Sequence, residues 1–266
     1  MNHARCFISF LILLIVTSSS TRGACCVPAS SFTRRGGAWY DNFGINRNYY
    51  GGPDGFLPKL IYESLGEYKE LAYSIGERFR ERYPSKNERA VAILRYVQRW
   101  TEYGYDGDHV VRNGVPQEEW AWNADEMAHA FDEVRGIKAI GDCEDMAFLC
   151  GAIYIGAGFE VAIVDALEHA ALLIWLPEYP NANLYWDIPG DGREAGWIWV
   201  EATGKSNPLG WTPPDFRDGG WTAHIIGSSG SLPGQVPHKP ISIDLDILAA
   251  IIFIILLSLL GSKRRR

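Results

Sequence analysis

The stretch Ile140-Gly-Asp-Cys-Glu-Asp-Met-Ala-Phe-Leu-Cys-Gly-Ala152 decides how the chain is read. It places Cys143 between Asp142 and the pair Glu144 and Asp145, and then turns apolar: Met146, Ala147, Phe148, Leu149, Ala152, Ile153 and Ile155 leave no polar face. A helix apolar all round is an enclosed one. Asp142 suits its N-cap, and acids at the next positions suit the positive end of the macrodipole. A helix start alone therefore accounts for the carboxylates. It does not account for the thiol, which sits where free backbone N–H groups favour a thiolate and can hold an oxyanion.

Outward from this helix the pattern divides in two. Before it, the apolar residues recur at helical spacing. Ser85–Trp100 has Ser85 at a capping position with Glu88 three residues on, and its buried stripe comprises Ala90, Ile93, Leu94, Val97, Trp100 and Thr101. Phe56–Tyr83 is helical in part, Asn123–Gly136 reads as a helix capped by Asn123, and Thr101–Glu119 reads as a long loop. After Gly156 and Gly158 come short extended runs from Phe159, His169 and Gly196, with a further strand at Asn183–Trp186. Helices first and adjacent strands afterwards predict an α+β domain with an antiparallel sheet packed on the cysteine helix.

The ends of the chain carry a different signal. Phe7–Val16 is a ten-residue apolar run behind Arg5, the layout of a signal peptide over 1–24. Residues 25–84 read as a loop-rich and partly helical extension, 85–226 as the main domain and 227–242 as a flexible linker. Residues 243–262 then predict a transmembrane helix closed by the basic tail Lys263–Arg266. The expectation is a single-pass protein in the cell membrane, its body extracytoplasmic and its C-terminus cytoplasmic. Six of the 25 basic residues lie outside residues 25–262, leaving 19 against 32 acidic ones, so the body is an improbable nucleic-acid binder.

Of five cysteines only Cys143 and Cys150 fall inside the body. Seven residues apart on one helix, they stand about 10 Å apart along its axis, too far for a disulfide. Cys150, between Leu149 and Gly151, reads as core. For Cys143 the order of later residues suggests chemistry: His169 opens one strand, and Glu201 ends another with Thr203 close behind. Paired strands would bring an imidazole and a carboxylate together near the thiol, as nucleophile, base and orienting acid. Glu168 is a weaker rival for the acid, because neighbours on a strand face opposite sides.

These motifs together resemble the transglutaminase-like superfamily, which shares the papain-like cysteine-protease fold. The matching residues are Gly141, Cys143 and Asp145, then Gly158, then His169 and Ala170, then Trp199, Glu201 and Thr203, within a likeness covering roughly Arg89 to Thr203. The family usually has aspartate where this chain has Glu201. The resemblance implies acyl transfer through Cys143, His169 and Glu201, acting on a protein or peptide substrate at the cell surface. Hydrolysis would make the chain a thiol protease or amidase, and transfer to a lysine amine would make it a crosslinking transglutaminase. A silent binding module, with the ten tryptophans lining a groove, is the non-enzymatic reading.

For the oxyanion side chain, Gln117, Trp120 and Trp122 lie in the right part of the chain. His109, His129 and His169 lack the short spacing of metal ligands. No cofactor is required; calcium is left open through Asp106 and Asp108.

Overall fold

A computed structural model describes residues 29–48, 70–188 and 191–226, with two short strands at 236–237 and 240–241. The first described segment, expected to be an irregular lead-in, forms a hairpin of β1 (Phe32–Arg35) and β2 (Ala38–Asp41). Its two-residue turn is Gly36-Gly37, both at positive φ (58° and 93°), which side-chain-bearing residues adopt only with strain. Arg47 pins this segment to the body from a fully buried position. It donates to Asp41 Oδ2 at 2.8 Å, to Glu126 Oε2 at 2.9 Å and to the Ala121 carbonyl at 2.7 Å.

Among the described residues the helices that follow are α1 (Glu70–Arg82), α2 (Lys86–Trp100), the short α3 (Asp106–His109), α4 (Ala124–Ala130) and α5 (Cys143–Gly156). α2 starts as the sequence indicates, with Ser85 Oγ accepting from Glu88 N at 3.4 Å. α4 is capped by Asn123, whose Oδ1 accepts from Glu126 N at 2.8 Å while Glu126 Oε2 accepts from Asn123 N at 2.9 Å. It stops at Ala130, short of the expected Gly136, because residues 132 and 137 bridge each other in an antiparallel turn closed by Gly136 at φ 72°. α5 is the central helix. Where α1 crosses it, Gly76 and Gly156 let the backbones touch: a Cβ on Gly76 would lie 2.0 Å from the Ile153 carbonyl oxygen, and one on Gly156 2.1 Å from that of Tyr73.

The region 101–119 is not one loop. It contains β3 (Thr101–Tyr103), α3, β4 (Val111–Arg112) and β5 (Val115–Pro116). β3 pairs with β6 (Ala139–Gly141), and the pairing is parallel. The main sheet is antiparallel throughout. It adds β7 (Val161–Ala166), β8 (His169–Trp175), β9 (Tyr185–Trp186), β10 (Trp197–Val200), β11 (Thr222–Ile226), β12 (Val236–Pro237) and β13 (Pro240–Ile241), in the order β12-β11-β7-β8-β10-β9-β13. Its two edges, β12 and β13, are separated by only residues 238 and 239, a reach of about 11 Å. The sheet therefore curls until its edges approach.

Period-two alternation gives this curled sheet two faces. Ile163, Leu172, Ile174, Ile198 and Val200 pack with α5 in the main core. Ala162, Val164, Leu173, Trp197 and Trp199 face the other way, into a second core with Trp186 and Trp221. Several of the ten tryptophans thus fill an interior rather than line an open groove.

The expected fold class needs correction. The chain is α+β, but its sheets mix parallel and antiparallel pairing, and no helix among the described residues is long and apolar enough to cross a membrane. The anticipated spanning helix over 243–262, the basic tail and the signal peptide over 1–24 all lie outside the described residues. Within the anticipated linker, β12 and β13 supply the edge strands of the sheet.

Candidate active site

Strand register brings the histidine and the acid together. The last registered pair of β10 and β8 is Val200 with Leu172, so Glu201 stands level with Ala171, on the same face as His169 and diagonal to it. Diagonal neighbours are about 7–8 Å apart at the backbone, within reach of long side chains. Glutamate spans that gap, and His169 Nε2 donates to Glu201 Oε2 at 2.9 Å. Glu201 is held from every side: Trp199 Nε1 donates to Oε2 at 3.2 Å, Thr203 Oγ1 and Thr203 N donate to Oε1 at 2.6 and 3.3 Å, and Gln98 Nε2 donates to its carbonyl at 3.2 Å. Burial alone would push this carboxyl up. The His169, Thr203 and Trp199 bonds outweigh it and hold the group below the usual glutamate range.

The Cys143 side chain also acts on the His169 ring, raising its basicity. Burial works to lower its basicity, but the bonds and charges of Cys143 and Glu201 prevail and raise it to about 10. The imidazole is stacked on Phe216, with centroids 5.1 Å apart and planes 9° from parallel, and Phe216 stacks in turn with Trp199 at 5.4 Å and 10°. One aromatic plate therefore covers both the imidazole and the indole that holds Glu201. Phe216 lies in the 3-10 turn Pro214–Phe216, in a stretch whose prolines and glycines signal only irregular chain. Nothing local in the sequence points to it.

Cys143 opens α5 and is half-buried, with its thiol donating to Glu144 Oε2 at 3.3 Å. The adjoining carboxyl is thus the acceptor that the thiol faces. Cys150 lies one face-length along the helix, fully buried, and burial pushes its thiol far up. It belongs to the core.

Other candidates fall into place by their contacts. Glu168 is exposed at φ 55° in the turn joining β7 to β8 and is not the acid on the imidazole. Gln117 is committed to its own hairpin, its Nε2 donating to the Val115 carbonyl at 2.8 Å and its Oε1 accepting from Asn48 at 3.1 Å. Trp120 and Trp122 serve through their backbones, which donate to Asp106 Oδ2 at 2.6 Å and Asp145 Oδ1 at 2.7 Å, while both indole N–H groups are buried without a partner. His109 donates from Nδ1 to the Tyr105 carbonyl at 2.8 Å, and His129 is exposed, so the three histidines do not converge. Asp108 is exposed whereas Asp106 turns inward.

The carboxylates around Cys143 form a larger group than the sequence suggests. Asp106, Glu119, Asp142, Glu144 and Asp145 influence one another: burial raises all five, Asp106 to about 8, and the charges of neighbouring carboxylates raise Asp106, Glu119, Glu144 and Asp145 further. Tyr103, exposed at the end of β3, is raised by partial burial and then by the charges of Cys143 and Asp142, which puts its ring at the thiol's margin. No protein-family model matches the chain, and neither a curated protein nor a solved structure matches it significantly.

Proposed function

We propose that the protein is a cysteine-dependent acyl-transfer enzyme that hydrolyses peptide or amide bonds, with Cys143 as nucleophile, His169 as general base and acid, and Glu201 as the orienting carboxylate. The observation that carries this reading is an imidazole bonded to a buried, multiply held carboxylate, with its basicity raised by a half-buried thiol at a helix start as well as by that carboxylate.

Each role follows from chemistry already described. His169 takes the thiol proton, and the resulting imidazolium is stabilised by Glu201. The sulfur attacks the amide carbonyl, and first-turn N–H groups of α5 other than that of Asp145, which the Asp142 side chain takes, are the donors available to the developing oxyanion. His169 then delivers its proton to the leaving amine, which departs, and water attacks the thioester with the imidazole again as base. Glu201 fixes Nε2, leaving the other ring nitrogen for the sulfur and the leaving group.

Iodoacetamide alkylation across pH tests the activated pair. Cys143 should react faster than a model thiol near neutral pH, His169→Ala should abolish that advantage, and Cys143→Ala should remove the fast-reacting site. A wild-type rate equal to that of a model thiol, unchanged by His169→Ala, rejects the nucleophile. Incubation of wild type with a glutamine-containing peptide and a labelled amine separates the acceptors: free ammonia without label incorporation supports hydrolysis, and label in the peptide assigns transfer instead.

A further inference from the structure

Two turn signals in the sequence build a recess beside the candidate site. Gly36-Gly37 closes the β1–β2 hairpin, and Asn113-Gly114, at φ 50° and 78°, closes β4–β5 with Arg112 opposite Val115. Asn48 ties the hairpins together: its Nδ2 donates to Gln117 Oε1 at 3.1 Å and to the Glu119 carbonyl at 2.7 Å, and its Oδ1 accepts from Trp39 N at 2.8 Å. Between them lies a cavity of about 390 Å³, with Trp39, Arg34 and Arg112 in its lining. That volume suits a ligand pocket, for which about 300–1,000 Å³ is usual.

Arg112 is its unusual member. The guanidinium carbon lies 4.1 Å from the Trp120 ring centroid, 4.3 Å from that of Phe32 and 5.6 Å from that of Trp122. Its Nε is sealed without a hydrogen-bond partner, and among the described residues no carboxylate lies within ion-pair distance of it. Burial and the charge of Arg47 disfavour the cation; Glu126 favours it, but that carboxylate is already bonded to Arg47. The ring faces offset part of the cost, yet the terminal nitrogens still lack an acceptor, and a half-buried cation without a bonded anion is unfavourable. Arg34, exposed and likewise without an ion pair among the described residues, adds a second guanidinium to the same cavity. Glu118 and Glu119 line it too, but neither reaches either arginine, and burial and then Asp142 push the Glu119 carboxyl up, toward its neutral form.

One wall leads to the thiol. A Glu119 oxygen lies within 4.8 Å of one on Glu144, and Glu144 Oε2 accepts from Cys143 at 3.3 Å. We propose that this cavity is a substrate subsite in which Arg112 and Arg34 bind a carboxylate on the acyl substrate, with Trp39 as its apolar wall. Planar guanidinium donors match a carboxylate. The body's 32 acidic residues against 19 basic ones repel anions elsewhere, so the arginine pair is a local exception. Calling the ligand a substrate rests on the acyl-transfer reading; the carboxylate site itself does not.

The test is calorimetric titration, with tryptophan fluorescence in parallel, of the full-length Cys143→Ala chain. Three peptides serve as probes: acetyl-pentaalanine with a free C-terminal carboxylate, its C-terminal amide, and that amide with glutamate at the central position. A carboxylate-bearing peptide should bind about tenfold or more tightly than the neutral amide. Whichever of the two does so identifies a chain terminus or an acidic side chain as the source. Arg112→Gln should abolish the preference and Arg34→Gln should reduce it, whereas Lys205→Gln, beside Arg95 in a different cavity, should leave it unchanged. Arg112→Lys retains the charge among the rings without the planar fork, so it should fold and bind the favoured peptide more weakly than the parent chain does; exposed Arg34 gives a second variant expected to fold. Equal affinity for charged and neutral peptides overturns the subsite, as does absence of binding by any probe up to about 10 mM. So does a preference that survives the Arg112 and Arg34 variants but is lost in Lys205→Gln. No readout requires catalysis: if Cys143 proves unreactive while the carboxylate preference holds, the acyl-transfer reading fails and the binding site stands.

Discussion

Replacing Glu201 by glutamine should lower the basicity of His169 while leaving the fold nearly intact. Glu201 accepts from His169 and Trp199 on one oxygen and from Thr203 on the other. A glutamine can keep its oxygen toward His169 and Trp199 and turn its NH₂ toward Thr203 Oγ1, whose hydroxyl rotates to accept. Only the 3.3 Å bond from Thr203 N is lost, worth about 1 kcal/mol. The charge is lost completely. A charge-assisted bond exceeds a neutral one by about 1–1.5 kcal/mol, or about one unit at 1.36 kcal/mol per unit. Treating the pair as full charges about 4 Å apart at an effective dielectric near 20 gives about 4 kcal/mol, or about three units.

The His169 midpoint, about 10 in the wild type, should therefore fall by between about one and three units, as read by NMR titration of the imidazole. Because the folded value is raised, the stability His169 contributes is complete below its unfolded midpoint of about 6.5 and is lost as pH rises through about 10. In Glu201→Gln that loss should occur at lower pH, which denaturant melts between pH 6 and 10 would register. A midpoint unmoved by more than about half a unit would refute the claim that Glu201 holds the proton on the imidazole.

The other predictions concern packing and access. Phe216→Ala should uncover the imidazole and reduce Cys143 alkylation near neutral pH, with a stability loss of about 1–3 kcal/mol for a partly buried ring; Phe216→Trp should restore most of the rate if stacking is what matters. Gly156→Ala drives a Cβ to 2.1 Å from the Tyr73 carbonyl and should cost about 3 kcal/mol or more, measured by urea unfolding, whereas Gly107→Ala, with open space around it, should cost little. Mass spectrometry of the natively alkylated protein should find label on Cys143 and none on Cys150, the latter becoming reactive only in denaturant.

Much of the site was readable because its determinants are local. Asp142 and Asp145 are oriented within one helix turn, Asp142 N donating to Asp145 Oδ2 at 3.3 Å. The alternation along Trp197–Val200 sorts its tryptophans from Ile198 and Val200 without any tertiary information. The loop expectation that failed rested on composition. The segment 101–119 looked like loop because its glycines and aspartates hide two-residue strands, and β3 finds its parallel partner only 38 positions further along the chain. β11 lies in a stretch dominated by proline and glycine, and its pairing with β7 depends on an edge that no local pattern announces.

By itself the sequence determined the enclosed helix, the thiol at its head, the order cysteine, histidine, acid, and the change from helical to extended period. Each follows from capping, side-chain periodicity or spacing, which act within a few residues. Tertiary structure alone brought Glu201, the acid that the sequence favoured over Glu168, onto the imidazole, laid Phe216 over it, and set Asp106 and Glu119 among the acids around Cys143. Those outcomes depend on strand register and on contacts between residues tens of positions apart. The carboxylates beside the thiol thus change in meaning with the fold: along the chain they cap a helix, and in space they crowd with two distant acids into a buried cluster whose charge must be balanced.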